Sequence, residues 1–353
     1  MEKPLKVRLR ILSPVHIGCD DVYEPTNFVI DEKKGKLVEF EPLEFIKGLS
    51  SEDRQKFSAI CSTGTISSIV QILKFLSGRQ ICGREVEIAE GMIAHYKKVR
   101  DLPANDERKL KQELNQFTIC RTAYNANNCL PFIPGSSVKG ALRTAYLNAE
   151  AVNRGVERRN KAKELEIELM GGSFETDPFR MVKVSDFLPA GDIKTRIVYA
   201  VNKKKKPSKF EARGPFQILE VIKEGIFEGV INIEKPLRDA GIKKAVNAES
   251  LISSISEFYK KILADDMKVF RDIDIHPAMN TAGNGKTIVR FGRHSGAEAV
   301  TIEGNRSIKI MQGRNQPHKF LDHATTIWLA SEKSNPTTNT GLMPFGWAVM
   351  EVE

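Results

Sequence analysis

Residues 133–146, IPGSSVKGALRTAY, open a helix, and the strand patterns on either side of it make the chain α+β. Ile133-Pro134-Gly135 is a turn entry, Ser136 or Ser137 supplies an N-cap, and Val138, Ala141, Leu142, Ala145 and Ala149 follow at helical spacing. The first turn then carries the wrong charges. Lys139 stands where a capping box takes Glu or Gln, Gly140 sits inside the helix, and Arg143 follows Lys139 one turn on, with no acid before Glu150. A helix N-terminus is partly positive, so these choices cost on the order of 2 kcal/mol together.

An anion would offset that cost. Free N–H groups from Ser136 to Gly140, two hydroxyls and two cations converge where a phosphate would sit, and Gly140 lets it approach closely. The other reading is a badly chosen cap left in solvent. The order of Lys139 and Gly140 is not that of a nucleotide-hydrolysing P-loop, which points to the phosphate of a nucleic-acid backbone.

Working outward, Leu5, Val7, Leu9 and Ile11 alternate with Lys6, Arg8 and Arg10, a half-buried strand ended by SPVHIG. NFVIDEKKGKLVEF predicts a hairpin turning at Lys34-Gly35. Residues 41–125 read as a helical insertion, with GTISSIVQILKFLSG and NDERKLKQELNQF its clearest helices. The helix that opens at Ser137 reads on to about Leu169 with a break near Gly155, and RMVKVSDF and KTRIVYAVN are strands. NKKKKPSKFEARGP marks a composition shift and the expected boundary between units 1–201 and 202–353. Beyond it, PFQILEVIKEG and IFEGVINIE predict a hairpin, AESLISSISEFYKKILADD a helix, and TIVRFGRHSG, AVTIEG, ATTIWLA and PFGWAVMEV strands. Both halves thus read as antiparallel α+β units of ferredoxin-like type.

The totals bound the function class loosely. The 353 residues hold 54 Lys and Arg against 45 acids, a formal net charge of +9 compatible with a polyanionic partner. No long apolar run or signal-peptide pattern is present, so a cytoplasmic, non-membrane protein is expected. The five cysteines are scattered without a Cys-x-x-Cys pair, and His318 and His323 are misplaced for one helix face, so neither a disulfide framework, a metal site nor a cofactor is expected.

Other candidates each carry two readings. His16 follows the first strand and is either a hydrogen-bonded structural histidine or an RNA contact, with a catalytic role as its sharpest form. Arg290, Arg293 and His294 gather around glycines in RFGRHSG, as a backbone-binding loop or as a turn with solvated arginines. Lys203 and Lys204 begin a four-lysine run that either tracks phosphates or lies in solvent. Aromatics are 7% of residues and no RNA-recognition aromatic motif is present, so recognition by base stacking on a sheet is not expected.

Taken together, FIPGSSVKGALRTA and LSPVHIG resemble the RAMP superfamily of CRISPR RNA-binding proteins. YEPTNFVID, DPFRMVKVSDF, FEARGPF, RFGRHSG and LMPFGW, in that order, narrow the resemblance to the large capping RAMP subunit of the type III-A (Csm) effector complex. It spans Leu12 to Trp347. It implies two ferredoxin-like cores, guide RNA (crRNA) held through its backbone near the 3′ end, target RNA close by, and assembly with the neighbouring backbone and small RAMP-complex subunits. It also implies a non-catalytic role that supports maturation of the guide's 3′ end, with cellular nucleases recruited. Carried over by position, Gly135, Ser136, Ser137, Lys139, Gly140 and Arg143 would contact the guide. Related filament subunits cleave target RNA with an aspartate. Matched on FVID, Pro25 falls at that place, with Asp20, Asp21 and Glu24 nearby. The alternatives are a metal-independent CRISPR RNA-processing endoribonuclease using His16, whose family's glycine-rich C-terminal loop is met only by Gly341 and Gly346, and a protein-only scaffold, which leaves the helix start unexplained.

Overall fold

A computed structural model describes residues 3–156, 161–207, 215–237, 240–279, 286–311 and 316–353. The chain opens with β1 (Leu5–Ile11), β2 (Gly18–Val22) and the hairpin β3 (Phe28–Asp31)–β4 (Lys36–Glu39). Then come α1 (Pro42–Gly48), α2 (Ser51–Ser62), α3 (Ile66–Leu76), β5 (Arg84–Ile88), α4 (Met92–Arg100), α5 (Glu107–Gln116) and β6 (Ile119–Thr122). The helix of interest is α6 (Gly135–Arg154), followed by α7 (Ala162–Met170), β7 (Val182–Val184), β8 (Leu188–Pro189), β9 (Lys194–Lys204), β10 (Gln217–Glu224) and β11 (Ile226–Ile233). After α8 (Ala248–Asp272) lie β12 (Thr287–Arg290), the small pair β13 (Ile308–Ile310)–β14 (Lys319–Leu321), β15 (Thr326–Ser331), β16 (Met343–Pro344) and β17 (Trp347–Val352).

Alternation along β1 buries Val7, Leu9 and Ile11 and leaves Lys6 and Arg8 outside. β1 lies at the centre of an antiparallel sheet ordered β12-β17-β1-β11-β7, with β8 also on β11. Helices α6 and α8 contribute to the same core as β1: Val138, Leu142 and Ala145 from one, Leu251, Ile255 and Tyr259 from the other. The Tyr259 hydroxyl donates to the Ala141 carbonyl at 3.2 Å and ties the two helices together. The path β1-α6-β7-β11-α8-β17 with order β17-β1-β11-β7 is the ferredoxin-like βαββαβ arrangement. The α+β class is as the sequence indicates.

The second sheet runs β2-β6-β10-β9-β5-β4-β3, with β15 on β9 and β16 on β15. It is mixed, because β10 pairs in parallel with β6 and β5 in parallel with β9. Its core takes Leu73 from α3 and Met92, Tyr96 and Val99 from α4, while α2 and α3 cover β3 and β4 through Phe57, Ile72 and Leu76.

Four expectations need correction. The halves 1–201 and 202–353 are not separate sheets: β9 runs through residue 202, and each sheet takes strands from both sides of it. Residues 41–125 are not wholly helical, because the alternation Val86, Ile88 makes β5 and Ile119, Arg121 makes β6, both in the second sheet. β10 and β11 follow one another across Gly225 (φ +148°) yet form no hairpin, since β10 joins the second sheet and β11 the first. AVTIEG holds a 3₁₀ turn at Glu298–Val300, with no strand. The break near Gly155 is where the sequence places it, at a left-handed C-cap (φ +58°). Most of FEARGPF, and residues 157–160 of the charged stretch after Gly155, lie outside the described residues. Among the described residues no helix is long and apolar enough to cross a membrane.

Candidate nucleic-acid interface

Helix α6 starts at Gly135, one residue before the first serine, with Pro134 as N-cap and without a side-chain bond from that cap. The Gly135 N–H instead donates to Asp186 Oδ1 at 2.8 Å, so an acid absent from the helix arrives from the segment after β7. Ile133 and Phe187 exchange two backbone hydrogen bonds of 3.0 and 2.9 Å, locking this entry to the same segment. There is no room for a side chain at 135: an added Cβ would lie 2.4 Å from the Val184 carbonyl oxygen.

Arg143 is also provided for. Its guanidinium meets Glu166 of α7 at 2.8 Å and Asp177 at 2.7 Å, above the Phe179 ring. The guide contact expected at 143 thus falls on a guanidinium that two carboxylates of the chain already hold. A sequence window of one helix cannot show acids brought in by α7 and by the turn before β7.

What remains unpaired lies on the outward side of the first turn. Ser136 and Gly140 are exposed and Ser137 and Lys139 half-buried; neither serine hydroxyl has a partner among the described residues. The Ser137 and Val138 N–H groups reach back to the Pro134 carbonyl, and Ser136 N–H is left open. A Cβ added at Gly140 would meet nothing within 4 Å, so packing within the chain does not demand glycine there. Lys139 has no carboxylate within ion-pairing distance among the described residues, and partial burial together with Lys183 and Arg143 holds its ammonium below the ordinary lysine value. Lys183, exposed on β7, is the residue that sequence reasoning missed; DPFRMVKVSDF contains it together with Asp177 and Asp186.

Three other quoted stretches form a second cluster at the junction of the sheets. LSPVHIG, RFGRHSG and LMPFGW are joined by backbone bonds from Arg293 N–H to His16 O (2.8 Å), Phe291 N–H to Gly346 O (3.0 Å) and Gly346 N–H to Pro14 O (2.9 Å). His16 is fully buried, with Nδ1 2.7 Å from the Glu220 carbonyl and Nε2 unpartnered and out of solvent. Burial holds its pKa below the ordinary histidine value. The ring is therefore held as the hydrogen-bonded structural reading of His16 expects, out of reach of the surface on which an RNA contact at 16 would lie.

Arg290 is likewise interior. It is 2% exposed, pairs with buried Asp266 at 2.6 Å and donates to the Phe345 carbonyl, so it braces the core. His294 (φ +64°) stacks on Trp328 with ring centroids 4.4 Å apart and lies 3.0 Å from Gln217. Burial, with Arg293 and His16 nearby, pushes its pKa down to about 3, so at neutral pH it offers a phosphate no charge. Arg293 alone of that loop's cations is exposed and without a carboxylate partner among the described residues. The lysine run begins on a strand: Lys203 and Lys204 end β9, and Lys203 Nζ is 3.5 Å from the Pro336 carbonyl. Asp20 (φ +60°), Asp21 and Glu24 are exposed at and beyond β2, with the Tyr124 hydroxyl donating to Asp21 at 2.7 Å.

With this geometry in place, comparison with known proteins assigns the class. The RAMP superfamily's sequence model matches residues 8–264, and the chain belongs to that superfamily. It is 24% identical to the CRISPR system Cms protein Csm5 of Methanocaldococcus jannaschii, across 98% of this chain and 88% of that protein. Among solved structures it is similar to a chain of a Csm-crRNA-target RNA ternary complex of a type III-A CRISPR-Cas system (TM-score 0.58, 16% identity, covering 98% of this chain and all of that one). It is also similar to T. onnurineus Csm5 (TM-score 0.52, 14% identity, covering 97% and 99%).

Proposed function

We propose that the chain is an RNA-binding subunit of a type III-A Csm complex in the cytoplasm, holding CRISPR RNA by its backbone and capping the filament at the guide's 3′ end. The observation that carries this is the start of α6, where Ser136, Ser137, Lys139 and Gly140 stay open while Asp186, Asp177 and Glu166 satisfy their neighbours. Lys183 adds a cation beside Lys139. A phosphate at this turn would take the free N–H and hydroxyls and relieve the like charges. The named relatives, a Csm5 protein and a complex containing crRNA and target RNA, support those partners and neighbouring Csm subunits for this chain. Burial of His16 supports a non-catalytic role, in which support of 3′-end maturation falls to recruited cellular nucleases.

The test is fluorescence anisotropy with a labelled single-stranded RNA, wild type against Lys139→Ala/Lys183→Ala, across a salt series. These two lysines are chosen because truncating Arg143 would strand Glu166 and Asp177. Affinity is expected to fall at least ~tenfold at low salt for all sequences, and the log–log salt slope to become shallower by ~0.7 per lost contact. Unchanged affinity with an unchanged slope would reject this site.

A further inference from the structure

Away from α6, a cleft of about 670 Å³ separates the C-terminal half of α8 from the ends of β9 and β15. That is within the range of small-ligand sites, which are commonly ~300–1,000 Å³. Its lining carries both charges. Lys205, Lys206, Arg306 and Glu298 line it together with Asp265, Asp266 and Asp272 of α8, and Ile262 and Val269 of the same helix add apolar surface.

Much of this charge is satisfied within the chain. Lys205 meets Glu298 at 2.6 Å, Asp265 meets Lys268 at 3.0 Å, and Asp266 meets Arg290 at 2.6 Å. Lys206, Arg306 and Asp272 have no ion-pair partner among the described residues. One buried donor of the lining is also idle: Arg306 Nε, whose guanidinium makes one bond to the Glu298 carbonyl at 3.3 Å. A buried donor left unsatisfied in this way calls for a partner.

We propose that this cleft binds one unpaired nucleotide, with its phosphate at Lys206 and Arg306 and its ribose hydroxyls and base amino groups toward the α8 carboxylates. A molecule anionic at one end and donor-rich at the other, with an apolar ring face between, matches a lining that offers free cations at Lys206 and Arg306, carboxylates on α8 and the apolar Ile262 and Val269. The site is independent of the backbone contacts at α6, because it lies on different elements. It would hold either a free mononucleotide or one residue of an RNA strand, splayed out of any stack.

The full chain is titrated calorimetrically with each of the four nucleoside 5′-monophosphates and with the corresponding nucleosides. Saturable binding is expected for at least one nucleotide, at least tenfold weaker for its nucleoside and at least tenfold weaker in Lys206→Glu and Arg306→Glu. Should Arg306→Glu fail to fold, Lys206→Glu decides alone, because Lys206 is exposed and its side chain braces nothing among the described residues. Binding must survive in Lys139→Ala/Lys183→Ala, which keeps this test separate from that of the α6 site. Competition by a short single-stranded RNA assigns the cleft to a nucleotide within RNA, and lack of competition to a free mononucleotide. No saturable binding at millimolar nucleotide, or binding indifferent to Lys206→Glu, overturns the proposal.

Discussion

Asp266→Ala is expected to lower the unfolding free energy by about 3–5 kcal/mol, the usual consequence of removing one partner from a buried ion pair. Asp266 and Arg290 are 7% and 2% exposed, and the carboxylate is 2.6 Å from Nη1. Burial pushes the Asp266 carboxyl up while the Arg290 charge pulls it back. The guanidinium otherwise has the Phe345 carbonyl at 2.9 Å and the Trp347 ring, with its centroid 5.0 Å away. Neither neutralises a full charge, so the variant leaves a cation in the core without a counterion. Denaturant unfolding measures the loss. Asp266→Leu/Arg290→Met should recover most of it, because the cost arises from the stranded charge; a single-variant loss under ~1 kcal/mol would mean that Arg290 reaches solvent.

Gly135→Ala should also destabilise, by about 1–3 kcal/mol for the overpacking, with a further ~1 kcal/mol if the cap is broken. The added methyl would stand 2.4 Å from the Val184 oxygen and 2.5 Å from the Ser185 oxygen, and both are backbone atoms that no rotamer change can move. Relief requires α6 to retreat from β7, which lengthens the 2.8 Å Gly135–Asp186 bond and separates Lys139 from Lys183. A lower denaturation midpoint accompanied by weaker RNA binding is therefore expected. An unchanged midpoint would show that the helix start is not seated against β7.

Much of this architecture is legible in the sequence where the pattern is local. The alternation of β1, the Lys34-Gly35 hairpin (Gly35 φ +64°), the stripe of α6 and the stop at Gly155 are each set by near neighbours. What is not legible depends on which sheet a strand joins. Nothing in the adjacent stretches PFQILEVIKEG and IFEGVINIE says that they part company at Gly225, because a buried strand has the same apolar character in either sheet. The α6 site divides in the same way. The odd charges of its first turn are visible locally, but the acids that meet the Gly135 N–H and Arg143, Asp186 and Asp177, come from more than thirty residues away. Arg290 and His16 are interior for a related reason: residue type suggests a surface role, and only the packing of three distant loops puts them inside.

Gly140→Ala tests the central claim most directly, with thermal melting and RNA anisotropy measured on the same preparation. No atom outside the local helix lies within 4 Å of the new methyl, so helix propensity alone should raise stability by up to ~1 kcal/mol. A phosphate held against the first turn would meet that methyl. The predicted result is a higher melting temperature with RNA binding weakened several-fold. A higher melting temperature with unchanged RNA affinity would contradict it, and the first turn of α6 would then be only a poor start to a helix.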